Sequence, residues 1–376
     1  MVKLDNEIQE KFDAIATDVV APNAEAVDRD GTFPRAAMDA IAAAGLSGLI
    51  SAREVGGLGQ GPGAAALAVE RLARECASTG MVIAMHYAGT AVIEKYGAEP
   101  VRRDVAGGRH LSTLAFSEAG SRSHFWAPVS SATAVGESVE LNADKSWITS
   151  AGQATAYVWS SRPVKAEGAS TLWLVPANAS GLKRPRPYNG LGLRGNDSRP
   201  VTAEKVTVKE SQRLGADGEG FAIMMGTVLP CFNLMSAAFS VGLMEAATAR
   251  TAAHAAGTRY AHLDSKLADL PTIRAYVARM RVQTDMARAL LDDSIDAVEN
   301  GRADAMLRVL ECKAAAGETA LAVLETAMRV CGGAAYRKDV DVERYFRDGQ
   351  AAGVMAPTTD QLYDFIGKAA CGLPLF

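Results

Sequence analysis

The sequence predicts an α+β fold in which helices and strands are segregated into separate domains. Apolar residues recur at helical spacing from residue 6 to about 107, short alternating segments fill 111–208, and long Ala-, Leu- and Met-rich helices follow the segment GADGEGF. We therefore expect an N-terminal helical domain over 1–110, a middle β domain over 111–212 and a C-terminal helix bundle over 213–376. Because helices and strands do not alternate along the chain, a doubly wound parallel sheet is disfavoured.

The N-terminal helices are predicted from the segment FPRAAMDAIAAAGLSGLI. Here Met38, Ile41, Ala42 and Leu46 follow the i, i+3, i+4, i+8 pattern of a buried helix face. The segment GGLGQGPG ends this run, and AAALAVERLARECAS begins the next helix. His86 follows in the apolar segment MVIAMHYAGT. A histidine there is compatible with a hydrogen-bonded core residue or with a donor that faces a pocket.

The middle domain is predicted from SVELNADKSWITS, AYVWSSR and STLWLVPA, whose alternating apolar residues are typical of strands. Three long helices are expected after it, over roughly 221–254, 266–300 and 303–330. The tail segment PTTDQLYDFIGKAACG predicts a last helix. Its start is indicated by the capping-box pattern of Thr358 and Gln361, and its end by Gly372.

The composition is ordinary for a globular protein, with 48% hydrophobic and 22% charged residues. A formal charge of -4 gives no long-range attraction to nucleic acid or to an anionic membrane, so neither is expected as a partner. The start, MVKLDNEIQEKFDAIA, lacks the apolar core of a signal peptide, which favours a cytoplasmic protein. The five cysteines are scattered without a CxxC spacing, so neither a disulfide framework nor a metal site is predicted.

Several motifs occur in an order that is found in one known family. They are FSEAGS at 116–121, LNADKSWITSA at 141–151, LGLRGNDS, LGADGEGF, and CGGAAY followed by ERYFRD. On these motifs the chain resembles the acyl-CoA dehydrogenase superfamily of flavoproteins along nearly its whole length. The resemblance implies FAD as the cofactor and a homo-oligomer, either a dimer or a tetramer. It also implies an electron-transfer flavoprotein or a flavin reductase as a partner.

Trp147 and Thr149 are the leading candidates for contact with the flavin ring. Residues two apart on a strand point to the same side, so an indole face and a hydroxyl can meet the ring together. The alternative is a tryptophan packed in the core of the sheet. The resemblance implies further cofactor contacts at Phe116, Ser117, Gly120, Ser121, Gly332, Gly333 and Thr358. The two glycines of CGG are expected near the diphosphate or adenosine part, often across a subunit interface.

The catalytic base of the family is missing from both of its known positions. Counted from Arg347 and Asp348, the glutamate that removes the α-proton of an acyl thioester falls on Ala356. Some family members carry this carboxylate on a bundle helix instead. There the match gives Phe232, followed by Asn233 in place of an arginine. An α-proton is too weakly acidic to leave without a positioned base, so a non-standard or missing base is expected.

Two further departures from the family pattern concern cofactor binding. The FSEAGS segment lacks a usual Pro-Gly pair after its Glu, and Arg122 stands where the family has Asp. Arg259 is not followed by the usual Phe-Gly of a motif whose Arg contacts the FAD of the neighbouring subunit. FMN is therefore an alternative cofactor.

Three functions are compatible with these residues. The first is a flavin-dependent oxidoreductase that acts on an acyl thioester carried by CoA or a carrier protein. The second is a flavin-dependent monooxygenase of the same fold, which uses reduced flavin and O2 on a small-molecule substrate, with His86 and Ser117 as hydrogen-bond donors. The third is a non-catalytic flavin-binding subunit, which the intact SWITS and CGG motifs disfavour. His124, Phe125 and Asn233 are the candidate substrate-binding residues.

Overall fold

The computed structural model describes residues 3–122 and 124–375, and within them six helices form the N-terminal part. They are α1 (Asn6–Ile15), α2 (Ala21–Asp30), α3 (Arg35–Ala43), α4 (Pro62–Ala73), α5 (Ala77–Tyr96) and α6 (Glu99–Ala106). A π-helical turn, Ala16–Val20, joins α1 to α2. Helix α5 is buried along most of its length, because its apolar residues face both the helices and the sheet. The glycine-rich segment that precedes α4 breaks the helical run, as the sequence predicts.

Two four-stranded sheets form the middle of the chain. The strands are β1 (Ser112–Ala115), β2 (Ser131–Val135), β3 (Ser138–Ile148), β4 (Ala156–Ser161), β5 (Thr171–Pro176), β6 (Leu182–Lys183), β7 (Arg199–Lys209) and β8 (Arg213–Leu214). One sheet has the order β1-β4-β5-β8 and the other has β2-β3-β7-β6. Only the β1–β4 pairing is parallel among these strands. Trp159 and Trp173 of the first sheet share a core with Leu141 and Val206 of the second.

Seven helices of the described chain follow the sheets. They are α7 (Gly220–Ile223), α8 (Leu229–Gly257), α9 (Pro271–Glu299), α10 (Ala305–Cys331), α11 (Val342–Gly349), α12 (Ala351–Val354) and α13 (Thr359–Ala370). A small hairpin, β9 (Arg259–Tyr260) and β10 (Ser265–Lys266), separates α8 from α9. The α7–α8 helix is long and apolar enough to cross a membrane, but 72% of its most apolar window is buried inside the protein. It is therefore the central helix of the bundle.

The packing of these elements confirms the predicted α+β class with segregated helices and strands. Helix α8 packs against α9 and α10 of the bundle and also against α4 and α5 of the N-terminal part. One apolar core consequently runs through both sets of helices and reaches the first sheet at Val158 and Leu172. Helix α13 begins after Thr358, whose side chain accepts a hydrogen bond from the backbone N–H of Gln361, as the tail sequence predicts.

Candidate active site

A cavity of about 870 Å³ lies where the β domain meets both sets of helices. Its walls come from α5, the segment after β1, the end of β3, the loop that precedes β7, the start of α8, and the turn between α12 and α13. This volume is within the range of small-molecule and cofactor sites. Elements that are far apart in the sequence therefore converge on one site.

The end of β3 supplies the two leading flavin candidates, and both line the cavity. Trp147 has a φ of +57°, next to an irregularity in the β3–β7 pairing, so the regular strand alternation assumed from the sequence is wrong at this residue. Its side chain is 62% exposed and stacks on Tyr188 with a ring-centroid distance of 4.2 Å. The Thr149 hydroxyl lies 3.3 Å from the hydroxyl of Ser198. Both residues face the same cavity, together with Ser146 and Ile148.

The segment after β1 forms a second wall. Phe116 and Ser117 line the cavity, and the Phe116 ring lies parallel to the ring of Phe125 at a centroid distance of 6.3 Å. The backbone N–H of Ser146 donates to the Ser117 carbonyl oxygen at 2.9 Å. This bond ties the FSEAGS segment to the strand that carries Trp147. Phe125 also lines the cavity.

Glu118 and Lys145 form a buried ion pair behind this wall, with 2.5 Å between Lys145 Nζ and a Glu118 carboxylate oxygen. Glu118 also accepts hydrogen bonds from the backbone N–H groups of Val129 and Ser130. Lys145 donates in addition to the carbonyl oxygen and the hydroxyl of Ser160. Burial raises the pKa of Glu118, but the Lys145 charge and the N–H donors outweigh it and hold the pKa below its usual value. The carboxylate is ionised and fully engaged.

This pair was not identified as a site feature from the sequence. The signal lay in the acidic residue of FSEAGS and in the lysine of NADKSW, which face each other across an isolated antiparallel bridge. A charged residue that is buried needs a partner of opposite charge, and these two residues supply it to each other.

The wall opposite the β domain carries both residues to which the sequence analysis assigned the position of the base. Ala356 and Phe232 line the cavity, together with Val354 and Met355. Among the described residues that line the cavity, Glu118 is the only carboxylate, and its oxygens are occupied by Lys145 and backbone N–H groups. The cavity therefore offers no free carboxylate to a substrate in the described part of the chain.

Lys313 on α10 supports the turn that contains Ala356. Its side chain is buried, and Nζ donates to the carbonyl oxygens of Met355 at 2.9 Å and Pro357 at 2.6 Å. Burial lowers the pKa of this ammonium to about 7. The two bonds fix the backbone on either side of Ala356.

His86 is a correction to the sequence analysis, because it does not face the cavity. Its Nδ1 accepts a hydrogen bond from the Ser112 N–H at 3.1 Å, and Nε2 donates to the Ser47 carbonyl oxygen at 3.0 Å. Burial lowers the pKa of His86 to about 4, so the ring is neutral. With both ring nitrogens bound to backbone, His86 links α5 to β1 and has no donor left for a ligand. Met81 and Met85 are the α5 residues on the cavity wall.

Asn233 and His124 are also displaced from their predicted roles. Asn233 is fully buried, and its Nδ2 lies 3.4 Å from the Val309 carbonyl oxygen between α8 and α10. It therefore joins two helices, while the adjacent Phe232 faces the cavity. His124 is exposed and meets the edge of Trp126 at 5.2 Å, outside the cavity wall. Neither residue is placed to bind a substrate in that cavity.

The remaining predicted cofactor residues divide into two groups. Thr358 lines the cavity while its hydroxyl caps α13. Ser121 has a buried hydroxyl oxygen without a hydrogen-bond partner, although neither it nor Gly120 is on the cavity wall. Gly332 and Gly333 are exposed at the end of α10, also away from the cavity wall, and an added Cβ at either would meet no atom within 4 Å. Their surroundings leave space for a close approach by another molecule.

These features fit a flavin. The exposed indole of Trp147 offers an apolar face, Thr149 offers a hydroxyl next to it, and Phe116 closes the apolar wall. An isoalloxazine ring needs both apolar faces and polar edge contacts. No group of three or more metal-ligating side chains occurs among the described residues.

Comparison with known proteins identifies the family. Acyl-CoA dehydrogenase N-terminal, middle and C-terminal domains match residues 4–107, 113–206 and 218–371. The human mitochondrial short-chain specific acyl-CoA dehydrogenase is 29% identical over 349 residues, covering 90% of this chain and 83% of that protein. The chain belongs to the acyl-CoA dehydrogenase superfamily.

Solved structures share the fold over the whole chain. Butyryl-CoA dehydrogenase from Megasphaera elsdenii superposes with a TM-score of 0.90 at 22% identity, covering 99% of this chain and 100% of that one. The prolyl acyl carrier protein oxidase AnaB superposes with a TM-score of 0.88 at 17% identity, covering 98% and 100%. The superfamily predicted from the motifs is confirmed, and FAD is the cofactor that agrees with it.

Proposed function

We propose that this protein is an FAD-dependent oxidoreductase that acts on an acyl thioester without a carboxylate base. One observation carries the proposal. Ala356 presents a methyl group to the cavity where the family resemblance places the base, and the described cavity wall holds no free carboxylate. The cavity keeps the features that fit a flavin and lacks the group needed to remove a carbon-bound α-proton.

The residues of the cavity have distinct roles in this proposal. FAD, when bound, supplies the acceptor for a hydride from the substrate. Trp147 and Thr149 hold the ring, and the Glu118–Lys145 pair ties the segment after β1 to β3. Phe232 and Met355 form an apolar end of the cavity that limits the contact of the substrate with water.

The missing base limits the bond that can be oxidised. An O–H or N–H proton leaves to water far more readily than a carbon-bound α-proton. We therefore infer that the oxidised carbon carries a hydroxyl or an amino group. Bound FAD would accept the hydride from that carbon and the heteroatom proton would be lost to solvent, so that a C=O or C=N bond would form. The thioester is carried by CoA or by a carrier protein, since both groups can reach an open cavity.

Two partners belong to the same proposal. An electron-transfer flavoprotein or a flavin reductase exchanges electrons with the bound cofactor. A second copy of the chain covers α9, where Val282 and Met286 are 57% and 66% exposed one helical turn apart. Large apolar side chains in this arrangement are typical of a helix face that is buried in an oligomer.

A flavin-dependent monooxygenase is the second candidate. It is favoured by the same absence of a free carboxylate and by the apolar end around Phe232, because oxygen activation needs a dry pocket and no α-carbon base. Ser117 is the donor that remains for this reaction, since His86 is bound to backbone on both nitrogens. A non-catalytic subunit would keep the flavin and react with neither substrate nor O2.

The experiment mixes the purified, FAD-loaded protein anaerobically with butyryl-CoA, a 2-hydroxyacyl-CoA and a 2-aminoacyl-CoA, and follows flavin absorbance. We expect no bleaching with butyryl-CoA and bleaching with a heteroatom-bearing thioester. The reduced protein is then mixed with O2 and the thioesters. An oxygenated product that forms only when O2 is added supports monooxygenase activity instead. Rapid bleaching of the flavin by butyryl-CoA would contradict the proposal that the protein lacks a base for the α-proton. If no thioester reacts, with or without O2, the protein is better described as a non-catalytic flavin-binding subunit.

A further inference from the structure

Arg122 is a cation on the cavity wall without a partner among the described residues. It lines the cavity, its side chain is exposed, and within the described residues its one hydrogen bond runs from its backbone N–H to the Glu118 carbonyl oxygen at 3.1 Å. Its φ of +49° belongs to the left-handed region, which non-glycine residues seldom adopt. The backbone thus holds a free guanidinium at the cavity in an uncommon conformation.

The other charges at the cavity do not neutralise Arg122. The charge of Glu118 is compensated by Lys145, at 2.5 Å. Arg194, the other cation on the wall, donates to the backbone carbonyl oxygens of Asp28 and Arg29 and pairs with no carboxylate. The described wall therefore carries a net positive charge, which favours an anionic ligand.

We propose that Arg122 binds a phosphate group of the molecule that occupies the cavity. A guanidinium has several N–H donors in a planar fork that matches a phosphate, and its charge strengthens each bond. Arg122 lies on the cavity wall and its side chain is exposed, so the fork can reach a ligand there. The inference rests on the proposed function, since both FAD and an acyl-CoA carry a diphosphate.

The two sources of phosphate can be separated with probes that lack it. FAD is compared with riboflavin, and butyryl-CoA is compared with S-butyryl-pantetheine. The variant is Arg122→Asn, because asparagine tolerates a positive φ and removes the charge. Arg122→Lys keeps the charge but loses the fork. The control is Arg103→Ala, an exposed arginine on α6 that pairs only with Glu99.

Dissociation constants are measured for all four probes with the full-length protein. We expect Arg122→Asn to raise the dissociation constant of FAD by about 10-fold to 100-fold, which is the range for the loss of a hydrogen bond to a charged group. The dissociation constant of riboflavin should stay unchanged. If only the affinity for butyryl-CoA falls, the inference is supported and the phosphate that Arg122 binds belongs to the substrate. Arg122→Lys is expected to fall between wild type and Arg122→Asn, and Arg103→Ala to match wild type.

Two results would overturn the inference while the proposed function stands. One is unchanged affinity for both FAD and butyryl-CoA in Arg122→Asn. The other is an equal loss for the probes with and without phosphate, which would mean that the substitution deforms the cavity. A wild-type protein that binds neither FAD nor riboflavin would reject the proposed function, and this inference with it.

Discussion

Lys313 Nζ lies 2.6 Å from the Pro357 carbonyl oxygen and joins the middle of α10 to the turn that carries Ala356. The same ammonium donates to the Met355 carbonyl oxygen, so one buried side chain satisfies two backbone acceptors. The turn has no hydrogen-bonded strand to hold it. Its position on the cavity wall therefore depends on a residue 44 positions away in the chain.

Replacing Lys313 by Met should destabilise the protein and disturb the cavity. The methionine fills a similar volume but leaves two buried carbonyl groups without donors, at a cost of about 1–3 kcal/mol each. Urea unfolding measures the loss in the free energy of unfolding, and the absorption spectrum of bound FAD shows whether the cavity is disturbed. Lys368→Met, on an exposed lysine that pairs with Asp364, is the matched control. Equal stability of the Lys313 and Lys368 variants would show that the two bonds contribute little.

Removing one partner of the Glu118–Lys145 pair should lower the free energy of unfolding strongly. Each side chain is almost fully buried, so Glu118→Gln or Lys145→Met leaves one uncompensated charge and should cost about 3–5 kcal/mol. The double variant should lose less than the sum of the two. A double-mutant cycle in urea measures the coupling. Strictly additive losses would argue against a direct interaction.

Trp147→Ala and Thr149→Ala should each weaken FAD binding or shift its spectrum. The indole is the largest exposed apolar face of the cavity and the threonine hydroxyl lies beside it, so each change removes a contact with the ring. Fluorescence titration with FAD gives the affinity. Tyr96→Ala, on α5 away from the cavity wall, is the control. If both cavity variants bind FAD with wild-type affinity and spectrum, the ring lies elsewhere.

His86 should make the protein sensitive to acid. Burial lowers its pKa to about 4 from 6.5, so between these values the unfolded chain binds a proton that the folded chain does not. Stability is therefore complete above pH 6.5 and falls as the pH drops towards 4, by roughly 3 kcal/mol from this residue. The pKa of His110 is lowered by burial to the same value, so it contributes in the same range.

The test compares the free energy of unfolding of wild type and His86→Gln between pH 7 and pH 4. The variant should be less stable at pH 7, because the bonds to Ser47 and Ser112 are lost or weakened. Its stability should nevertheless change less with pH. Parallel curves for the two proteins would mean that His86 does not titrate in this range.

Wild-type protein should not exchange the α-protons of bound butyryl-CoA with deuterium. The methyl group of Ala356 cannot accept a proton, and a positioned base typically contributes about 10² to 10⁴ in rate. Mass spectrometry after incubation in D2O measures the exchange. Ala356→Glu is expected to introduce slow exchange if its carboxylate reaches the substrate. Fast exchange by the wild type would reveal another base and would contradict the proposed function.

The sequence by itself determined the fold class, the order of the elements and the superfamily. Helical and strand periodicity are local properties, so the helical run before 107 and the strands between 112 and 209 could be located without a structure. Trp147 and Thr149 were identified as site residues from the short motif that contains them, and Ala356 by counting from Arg347 and Asp348. All three line the cavity.

Only the tertiary structure decided which residues of the buried helices face the cavity. Helix α5 is buried on most sides, so its sequence does not indicate which of its residues face the cavity. In the structure Met81 and Met85 line the cavity, while His86 forms hydrogen bonds with the backbone of Ser47 and Ser112. The contacts that shape the site join residues far apart in the chain. Lys145 reaches Glu118 across 27 positions, and Lys313 reaches Pro357 across 44. Their positions depend on how helices and sheets pack, and local sequence patterns do not encode that packing.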